Sequence, residues 1–385
     1  MRIKPTKDRG PQGAAARMLG LCIQAPELTD RQGRRFWEAL PATWQGLPKA
    51  FIRHPNGTAC YDVQNADDNR YLMVSHELFA GLPMSVTHDL TIGPQLHPSA
   101  VVAWQTARTR RIVYGNEPPM HIPSVWSTAG AYAQGYRTFV ISLPEALRPL
   151  VWFQSGKEEV LYHRPPEATP QLLAKHQAVK EATVALVQEG YPPQVATTHK
   201  LRPDYPGPAR EFYRHLLDLY RQAYGPKVRV LFHEYKLDDG VEDTEDAVLL
   251  LAEFLVVMSR IIYESDTVAG GAYQQAAGTG TVNLIGRDRD GDWTTGWLTE
   301  LWTAFGNVLK VGSLVETTQE ERPAHVNIEG FDIGGGRTVL LYSNRGPEEP
   351  LKLPAARFRY WAAGAVTEGQ YRNALPAHSA GLIEL

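Results

Sequence analysis

The chain has 385 residues, of which 43% are hydrophobic and 21% are charged, as in an ordinary soluble globular protein. Its formal net charge of −3 at pH 7 argues against nucleic acid or an anionic membrane surface as a bulk partner. The sequence contains no run of about 18 apolar residues, so no membrane span is predicted. The N-terminus lacks the apolar stretch of a signal peptide. We therefore expect a cytoplasmic protein, or a secreted one if a leader has been removed.

The predicted strands alternate with helical patterns over the first 305 residues. The strands are expected at 17–23, 48–54, 82–90, 111–114, 148–154, 194–199, 228–235 and 281–285, and the helices include 99–108, 169–189, 209–224 and 245–263. Residues 1–15 are interpreted as a loose lead-in, and Gly270 with Gly271 as a break in the chain. Eight strands that alternate with helices are typical of a parallel (β/α)₈ TIM barrel, which takes about 250 residues.

The pattern changes after residue 305. Short alternating strands are expected at 312–317, 325–333, 337–344, 358–366 and 381–385, with turns between them. This pattern is typical of a small β-sandwich. The predicted fold class is therefore α/β, with a TIM barrel over residues 1–305 and a C-terminal β-sandwich over residues 306–385.

Cysteines and acidic clusters give no metal signature. Cys22 and Cys60 fall at predicted strand positions and could pair if those strands are neighbours, although two buried thiols are the favoured interpretation. The acidic run 288–292 lacks the glycine position and the final glutamate of an EF-hand, so it predicts a solvated turn. We expect neither a metal ion nor a cofactor.

Two strands of the predicted barrel end in a carboxylate. The apolar run 111–114 favours a strand that the following prolines must end, which places Asn116 and Glu117 at its C-terminal end. The run 228–235 carries Glu234 at the equivalent position. Active sites of such barrels are built at this end of the strands, and glycoside hydrolysis needs a pair of carboxyl groups. The alternative is that both glutamates are ordinary residues of strand-ending turns.

The Gly-Asn-Glu-Pro segment 115–118 resembles strand four of the clan A retaining glycoside hydrolases, and 228–235 resembles strand seven of that clan. The resemblance implies that Glu117 is the acid/base, that Asn116 contacts the sugar 2-hydroxyl, and that Glu234 is the nucleophile. The Arg-His-Pro-Asn-Gly turn 53–57 is similar to a turn of arabinofuranosidase-like members, in which the arginine braces the nucleophile.

Further candidate site residues come from the same strand ends. His199 resembles the histidine of a strand-six His-x-Tyr ending, whose tyrosine would be displaced to Tyr205, and Tyr235 is the aromatic residue after the nucleophile. His88 and Gln154 are expected to face the cleft, although a hydrogen-bonded core histidine explains His88 equally well. The strand end 339–345 resembles part of the C-terminal sandwich of these hydrolases.

Basic residues crowd the predicted strand ends, namely Arg53, His54, His199, Lys200, Arg202, His233 and Lys236. A positive cleft suits an anionic sugar such as a uronic acid, whereas these residues could instead balance the two glutamates and an acidic loop. The motifs resemble arabinofuranosidase, β-xylosidase and β-glucuronidase or heparanase members alike. We therefore expect a carbohydrate partner and a retaining hydrolase of plant or microbial poly- or oligosaccharides that contain uronic acids or pentoses. A non-catalytic carbohydrate-binding barrel and a transglycosylase are the alternatives.

Overall fold

The computed structural model describes residues 2–4, 11–22, 29–54, 60–61, 82–104, 108–237, 241, 244–274, 277, 282–318, 323–354, 356–362 and 365–385. Its centre is a closed barrel of eight parallel strands in chain order. The barrel strands are β2 (Gly20–Cys22), β3 (Phe51–His54), β4 (Thr87–Ile92), β5 (Thr109–Tyr114), β6 (Val151–Gly156), β7 (Gln194–Leu201), β8 (Arg229–Leu237) and β9 (Val268–Tyr273). The predicted TIM barrel is confirmed.

Helices alternate with these strands around the outside of the barrel. They are α1 (Phe36–Ala39), α2 (Pro41–Gly46), α3 (Pro98–Trp104), α4 (Ala129–Ser142), α5 (Val160–His163), α6 (Pro170–Gln188), α7 (Ala209–Tyr224), α8 (Thr244–Glu264) and α9 (Trp297–Val311). In α7 the buried side chains recur at helical spacing, so that one face packs on the barrel and the other meets solvent. Gly225, at φ 94°, ends this helix in a conformation that favours glycine.

The barrel strands present alternate side chains to the interior and to the helices. A small apolar cluster fills part of the interior and comprises Cys22, Phe51, Val113, Trp152, Ala196, Leu231, Ala269 and Ala272. The larger apolar core lies between the strands and the helices. Side chains at the C-terminal ends of the strands are therefore held on a rigid, packed base.

A seven-stranded antiparallel sheet follows the barrel, with the strand order β1-β12-β13-β14-β19-β16-β17. Its strands are β1 (Arg2–Lys4), β12 (Ser313–Thr318), β13 (Val326–Asp332), β14 (Thr338–Asn344), β16 (Arg357–Ala362), β17 (Ala365–Gln370) and β19 (Ser379–Glu384). Two small two-stranded sheets complete the described strands: β10 (Ile285–Arg287) with β11 (Trp293–Thr295), which is a hairpin, and β15 (Glu349–Pro350) with β18 (Ala374–Leu375). The β-sandwich predicted after the barrel is confirmed as a region of antiparallel sheets.

The sheet is fixed to the barrel by apolar packing and by a buried charge. Glu329 on β13 is fully buried; it lies 2.5 Å from the guanidinium of Arg260 on α8 and also pairs with Arg210 on α7. The predicted boundary between residues 305 and 306 falls inside α9. The N-terminal residues 2–4 form β1, which pairs with β12, instead of a loose lead-in.

The eighth barrel strand differs from the prediction. It is β9, which contains Gly270 and Gly271, whereas the predicted strand 281–285 leads into the β10–β11 hairpin. A Cβ atom on Gly270 would lie 2.7 Å from the carbonyl oxygen of Arg17, and one on Gly271 would lie 2.5 Å from Cε of Met18. The glycines thus allow close approach of neighbouring backbone and side chains, and they do not break the strand.

Cys22 and Cys60 are buried thiols that form no disulfide, as the favoured interpretation predicted. Within the described ranges, no helix combines the length and the apolar character that crossing a bilayer requires.

Candidate active site

The end of β5 is built by a tight turn that presents Asn116 and Glu117. Gly115 has φ 86° and Glu117 has φ 44°, so the backbone turns sharply within three residues. The amide of Gly115 still donates to the carbonyl oxygen of Ile92 on β4 at 2.7 Å, and Pro118 then begins a single 3-10 turn. A left-handed glutamate is uncommon and has to be held by its surroundings. The turn therefore fixes the direction of the Glu117 side chain.

Tyr61 holds this turn from the other side. Its hydroxyl accepts a hydrogen bond from the amide of Asn116 at 2.7 Å and also contacts the Asn116 carbonyl oxygen. The amide of Glu117 donates to the side-chain oxygen of Gln154 on β6. Gln154 is fully buried, and its Nε2 atom has no hydrogen-bond partner among the described residues. Gln154 therefore supports Glu117 and carries an unused donor beside it.

Glu117 forms an ion pair with Lys157, which follows the end of β6. The Lys157 Nζ lies 2.9 Å from Oε1 of Glu117, and the two side chains are only 17% and 16% exposed. Burial by itself raises the pKa of Glu117, but the positive charge and hydrogen bond of Lys157 outweigh it and lower this pKa below its usual value. A general acid is favoured by a raised pKa. The pKa of Glu117 is instead lowered in this structure, because its neighbour is a cation.

Glu234 forms the second buried ion pair of the site. Nη1 of Arg53 lies 2.5 Å from Oε2 of Glu234, and the side chains are 0% and 3% exposed. The same guanidinium donates to Oδ1 of Asn116 at 2.6 Å and to the hydroxyl of Thr91 at 3.1 Å. Arg53 therefore links the carboxylate of β8 to the residue that precedes Glu117 on β5.

The two glutamates share one set of cations. The positive charges of Lys236 and Arg53 also lower the pKa of Glu117, although less than the charge of Lys157 does. Burial opposes the charge on Lys157, but Glu117, and more weakly Glu159 and Glu234, raise its pKa. The barrel thus brings together six of the predicted site residues, which are Asn116, Glu117, Glu234, Arg53, Gln154 and Lys236. Their catalytic and binding roles stay predictions.

His88 is not at the cleft. It lies near the start of β4, is buried, and contacts the hydroxyl of Thr109 at the start of β5. The strand continues to Ile92, so the residue that reaches the site is Thr91. The prediction that His88 lines the cleft is wrong, because the predicted strand ended too early.

His199 and Tyr235 lie on the outer side of the barrel. The His199 ring is buried among Tyr213, Phe232 and Phe254, and its Nε2 lies 3.2 Å from the hydroxyl of Tyr213. Tyr235 donates from its hydroxyl to the carbonyl oxygen of Met18 at 2.8 Å. Strand alternation explains both positions, since their neighbours in sequence are the residues that point inward. The prediction that these two rings contact the substrate is wrong.

Tyr205 is also outside the cleft. Its ring stacks on Phe212, with ring centroids 4.1 Å apart, and its hydroxyl contacts the carbonyl oxygen of Lys200. The predicted role of Tyr205 in substrate contact is therefore wrong. His54 ends β3, and its side chain lies outside the described part of the chain, as do residues 55–57 of the Arg-His-Pro-Asn-Gly turn.

Sequence reasoning missed three residues that shape the site. Tyr61 supports Asn116, Thr91 supports Arg53, and Lys157 pairs with Glu117. Lys157 could have been predicted as a site residue, because it lies just beyond the C-terminal end of a barrel strand. The other two carry no pattern that separates them from core residues.

A partly open cavity of about 180 Å³ adjoins Lys157 on the side of β6 and β7. A wider groove of about 760 Å³ lies between α9 and the C-terminal sheet, away from both glutamates. In the described part of the chain, no cluster of three or more His, Cys, Asp or Glu residues is placed to hold a metal ion.

No family model matches this sequence, and no curated protein matches it in a sequence comparison. Solved structures do match. The chain is similar to a family 51 arabinofuranosidase from Xanthomonas axonopodis pv. citri, with TM-score 0.64 and 11% identity over 98% of both chains.

A monomeric β-xylosidase from Caulobacter crescentus CB15 matches with TM-score 0.58 and 12% identity, over 99% of this chain and 98% of its own. A 4-O-α-L-rhamnosyl-β-D-glucuronidase from Fusarium oxysporum 12S matches with TM-score 0.53 and 13% identity, over 100% of this chain and 99% of its own. At such identities a likeness shows the fold and leaves the activity open. The chain therefore shares, over nearly its whole length, the barrel-and-sheet fold of these three solved structures.

Proposed function

We propose that the protein is a retaining glycoside hydrolase of poly- or oligosaccharides that contain uronic acids or pentoses. The observation that carries the proposal is the double contact of Arg53, which joins Glu234 of β8 to Asn116, the residue before Glu117 of β5. Glu117 and Glu234 come from distant parts of the chain, and Arg53 connects Glu234 to the residue next to Glu117. A double displacement at a sugar carbon requires two carboxylates that face one site, and this connection supports such a pairing.

The reaction would proceed in two balanced steps. In the first, an Oε atom of Glu234 bonds to the anomeric carbon, the glycosidic C–O bond breaks, and the carboxyl proton of Glu117 goes to the leaving oxygen. In the second, water gives a proton to Glu117 and its oxygen bonds to the anomeric carbon, which releases Glu234. Arg53 holds Glu234 in place and is a positioning residue.

The ion pair with Lys157 adds a condition to this mechanism. Glu117 is ionised in the free enzyme because its pKa is lowered, yet the first step needs it protonated. Either the reaction runs at low pH, or Lys157 changes its partner when substrate binds.

The proposal is tested with Glu117→Gln and Glu234→Gln on a panel of aryl glycosides that includes arabinofuranosides, xylosides and glucuronides. Both variants should lose nearly all activity, whereas Glu264→Gln, which changes a partly exposed glutamate paired with Arg214, should retain it. Full activity in either active-site variant would contradict the assignment. A cyclophellitol-type probe that labels Glu234, located by peptide mass spectrometry, would identify the nucleophile directly.

Two other functions use the same residues in part. A carbohydrate-binding barrel would bind sugars without labelling Glu234, although binding alone gives no reason for a buried Arg53–Glu234 pair. A transglycosylase would form the same labelled intermediate and pass the sugar to an added acceptor in place of water. Product analysis with and without acceptor sugars separates the two.

A further inference from the structure

The cavity of about 180 Å³ beside Lys157, here called the side pocket, is lined by apolar side chains together with several charged and polar ones. Its walls come from the segment after β5, the segment after β6, the first turns of α6 and the end of β7. They include Met120, Lys157, Glu159, His176, Lys200 and Arg202. Since a water molecule takes about 30 Å³ of liquid, the volume corresponds to roughly six waters, or one small polar molecule.

Lys157 belongs to the side pocket and to the candidate active site at once. Its side chain lines the pocket, and its Nζ lies 2.9 Å from Oε1 of Glu117. A lysine ammonium sits on a flexible four-carbon stem and has three donors, so it can exchange partners without movement of the backbone. Gly156, immediately before it, has φ 86° and packs closely on Pro119, which fixes where the stem starts.

Two other charged groups of the pocket have partners in the protein. Arg202 pairs with Glu167. Glu159 accepts a hydrogen bond from the amide of Lys200 at 3.4 Å, and its Oε1 lies 3.8 Å from the His199 ring.

His176 is the exception in the pocket wall. Its ring is only 1% exposed, and both of its nitrogens lack a hydrogen-bond partner among the described residues. A buried polar group without a hydrogen bond is destabilising, so a polar occupant of the pocket that bonds to His176 would be favoured.

We propose that the side pocket binds the carboxylate-bearing unit of a uronic acid, and that Lys157 then exchanges its partner from Glu117 to this carboxylate. The inference rests on the proposed function for the role of Glu117 as the acid. Lys157 is a positioning residue in this scheme, because it acts through Glu117.

Charge balance favours an anionic occupant over a neutral one. In the structure, the charge of Lys157 is balanced by Glu117. When a carboxylate takes over Lys157, Glu117 loses its strongest attraction and takes up a proton from solvent, so the net charge of the site is unchanged. A neutral sugar offers no such exchange and leaves Glu117 ionised, which is the wrong state to protonate a leaving oxygen.

The charged and titratable groups that interact electrostatically with Glu117 come from several elements. They include Lys157 after β6, Lys236 on β8, Arg53 on β3, Tyr61, His121 in the turn after β5 and His176 on α6. Lys157 forms an ion pair with Glu117 and also lines the pocket. It is therefore the contact that an occupant can change.

The test measures proton uptake on binding and does not need catalysis. Titration calorimetry of D-glucuronate and D-glucose at pH 6, in two buffers of different ionisation enthalpy, gives the number of protons taken up per bound sugar. We expect measurable proton uptake with glucuronate and none with glucose. Lys157→Met should abolish the uptake and weaken glucuronate binding about 10- to 100-fold.

Lys227→Met is the matched control, because this exposed lysine precedes β8 at the opposite end of the barrel. It should bind glucuronate with the same proton uptake as the parent protein. Binding of glucuronate without proton uptake, uptake that survives in Lys157→Met, equal binding of glucose, or binding of neither sugar would each overturn the proposal. If instead the proposed function is wrong, the protein would neither hydrolyse the aryl glycosides nor be labelled at Glu234, and this result does not depend on the proton uptake.

Discussion

Replacing Arg53 with methionine should strongly destabilise the protein. The guanidinium is fully buried, lies 2.5 Å from Glu234, and donates to Asn116 at 2.6 Å and to Thr91 at 3.1 Å. Methionine keeps much of the side-chain volume but leaves the Glu234 carboxylate buried without its partner. Removing one member of a buried ion pair typically costs about 3–5 kcal/mol, and we expect a loss of that size in the free energy of unfolding.

Urea unfolding at pH 7, followed by tryptophan fluorescence, measures this loss. Arg137→Met is the control, since Arg137 pairs with Glu189 at the surface and should cost less than about 1 kcal/mol. In a double-mutant cycle, Glu234→Gln added to Arg53→Met should recover part of the stability, because the unpaired charge is then gone. Equal losses in the two arginine variants, or strictly additive effects in the cycle, would refute the reasoning.

Three further outcomes are expected. For neutral aryl glycosides, Lys157→Met should move the alkaline limb of the kcat/KM profile to higher pH, because it removes the cation that lowers the pKa of Glu117; an unmoved limb would contradict this role. Burial lowers the pKa of His176 to about 4, so the folded state resists its protonation and loses stability as the pH falls from about 6.5 to 4. His176→Leu should therefore reduce this loss in the free energy of unfolding by about 3 kcal/mol, as measured by urea unfolding at a series of pH values. An equal loss in both proteins would count against the reasoning. Gly270→Ala should cost about 1–3 kcal/mol by clashing with a backbone oxygen, whereas Gly369→Ala, with open space around it, should be nearly neutral in the same assay, and similar losses would contradict the packing argument.

Much of the fold follows from periodicity. Helix α7 occupies the predicted range 209–224, because its apolar positions and the following Gly-Pro pair both mark it clearly. The strand ends that carry Glu117 and Glu234 were also predictable, since a β-branched run followed by polar residues is a local pattern. The structure places both at the expected end of the barrel.

The errors arose where local pattern and packing disagree. Glycine in a sequence is usually taken to indicate a turn or the end of an element. In β9, however, two glycines lie within the strand and allow Met18 and the backbone of Arg17 to approach closely. His199 and Tyr235 are polar aromatics beside inward-facing residues, and a shift of one position in a strand sends a side chain to the opposite face. Lys157 escaped notice because the predicted fifth strand stopped at Gln154, before the cation that follows it.

The pairing of β1 with β12 makes the barrel, in topological terms, an insertion between two adjacent strands of one sheet. The C-terminal segment expressed alone would lack that neighbour and would leave a row of backbone donors and acceptors on β12 open to other chains. Shortened versions that begin after residue 10 would share this exposed edge. Recombinant fragments designed at the apparent barrel–sheet junction should therefore self-associate, while the intact chain conceals the same edge within its own sheet.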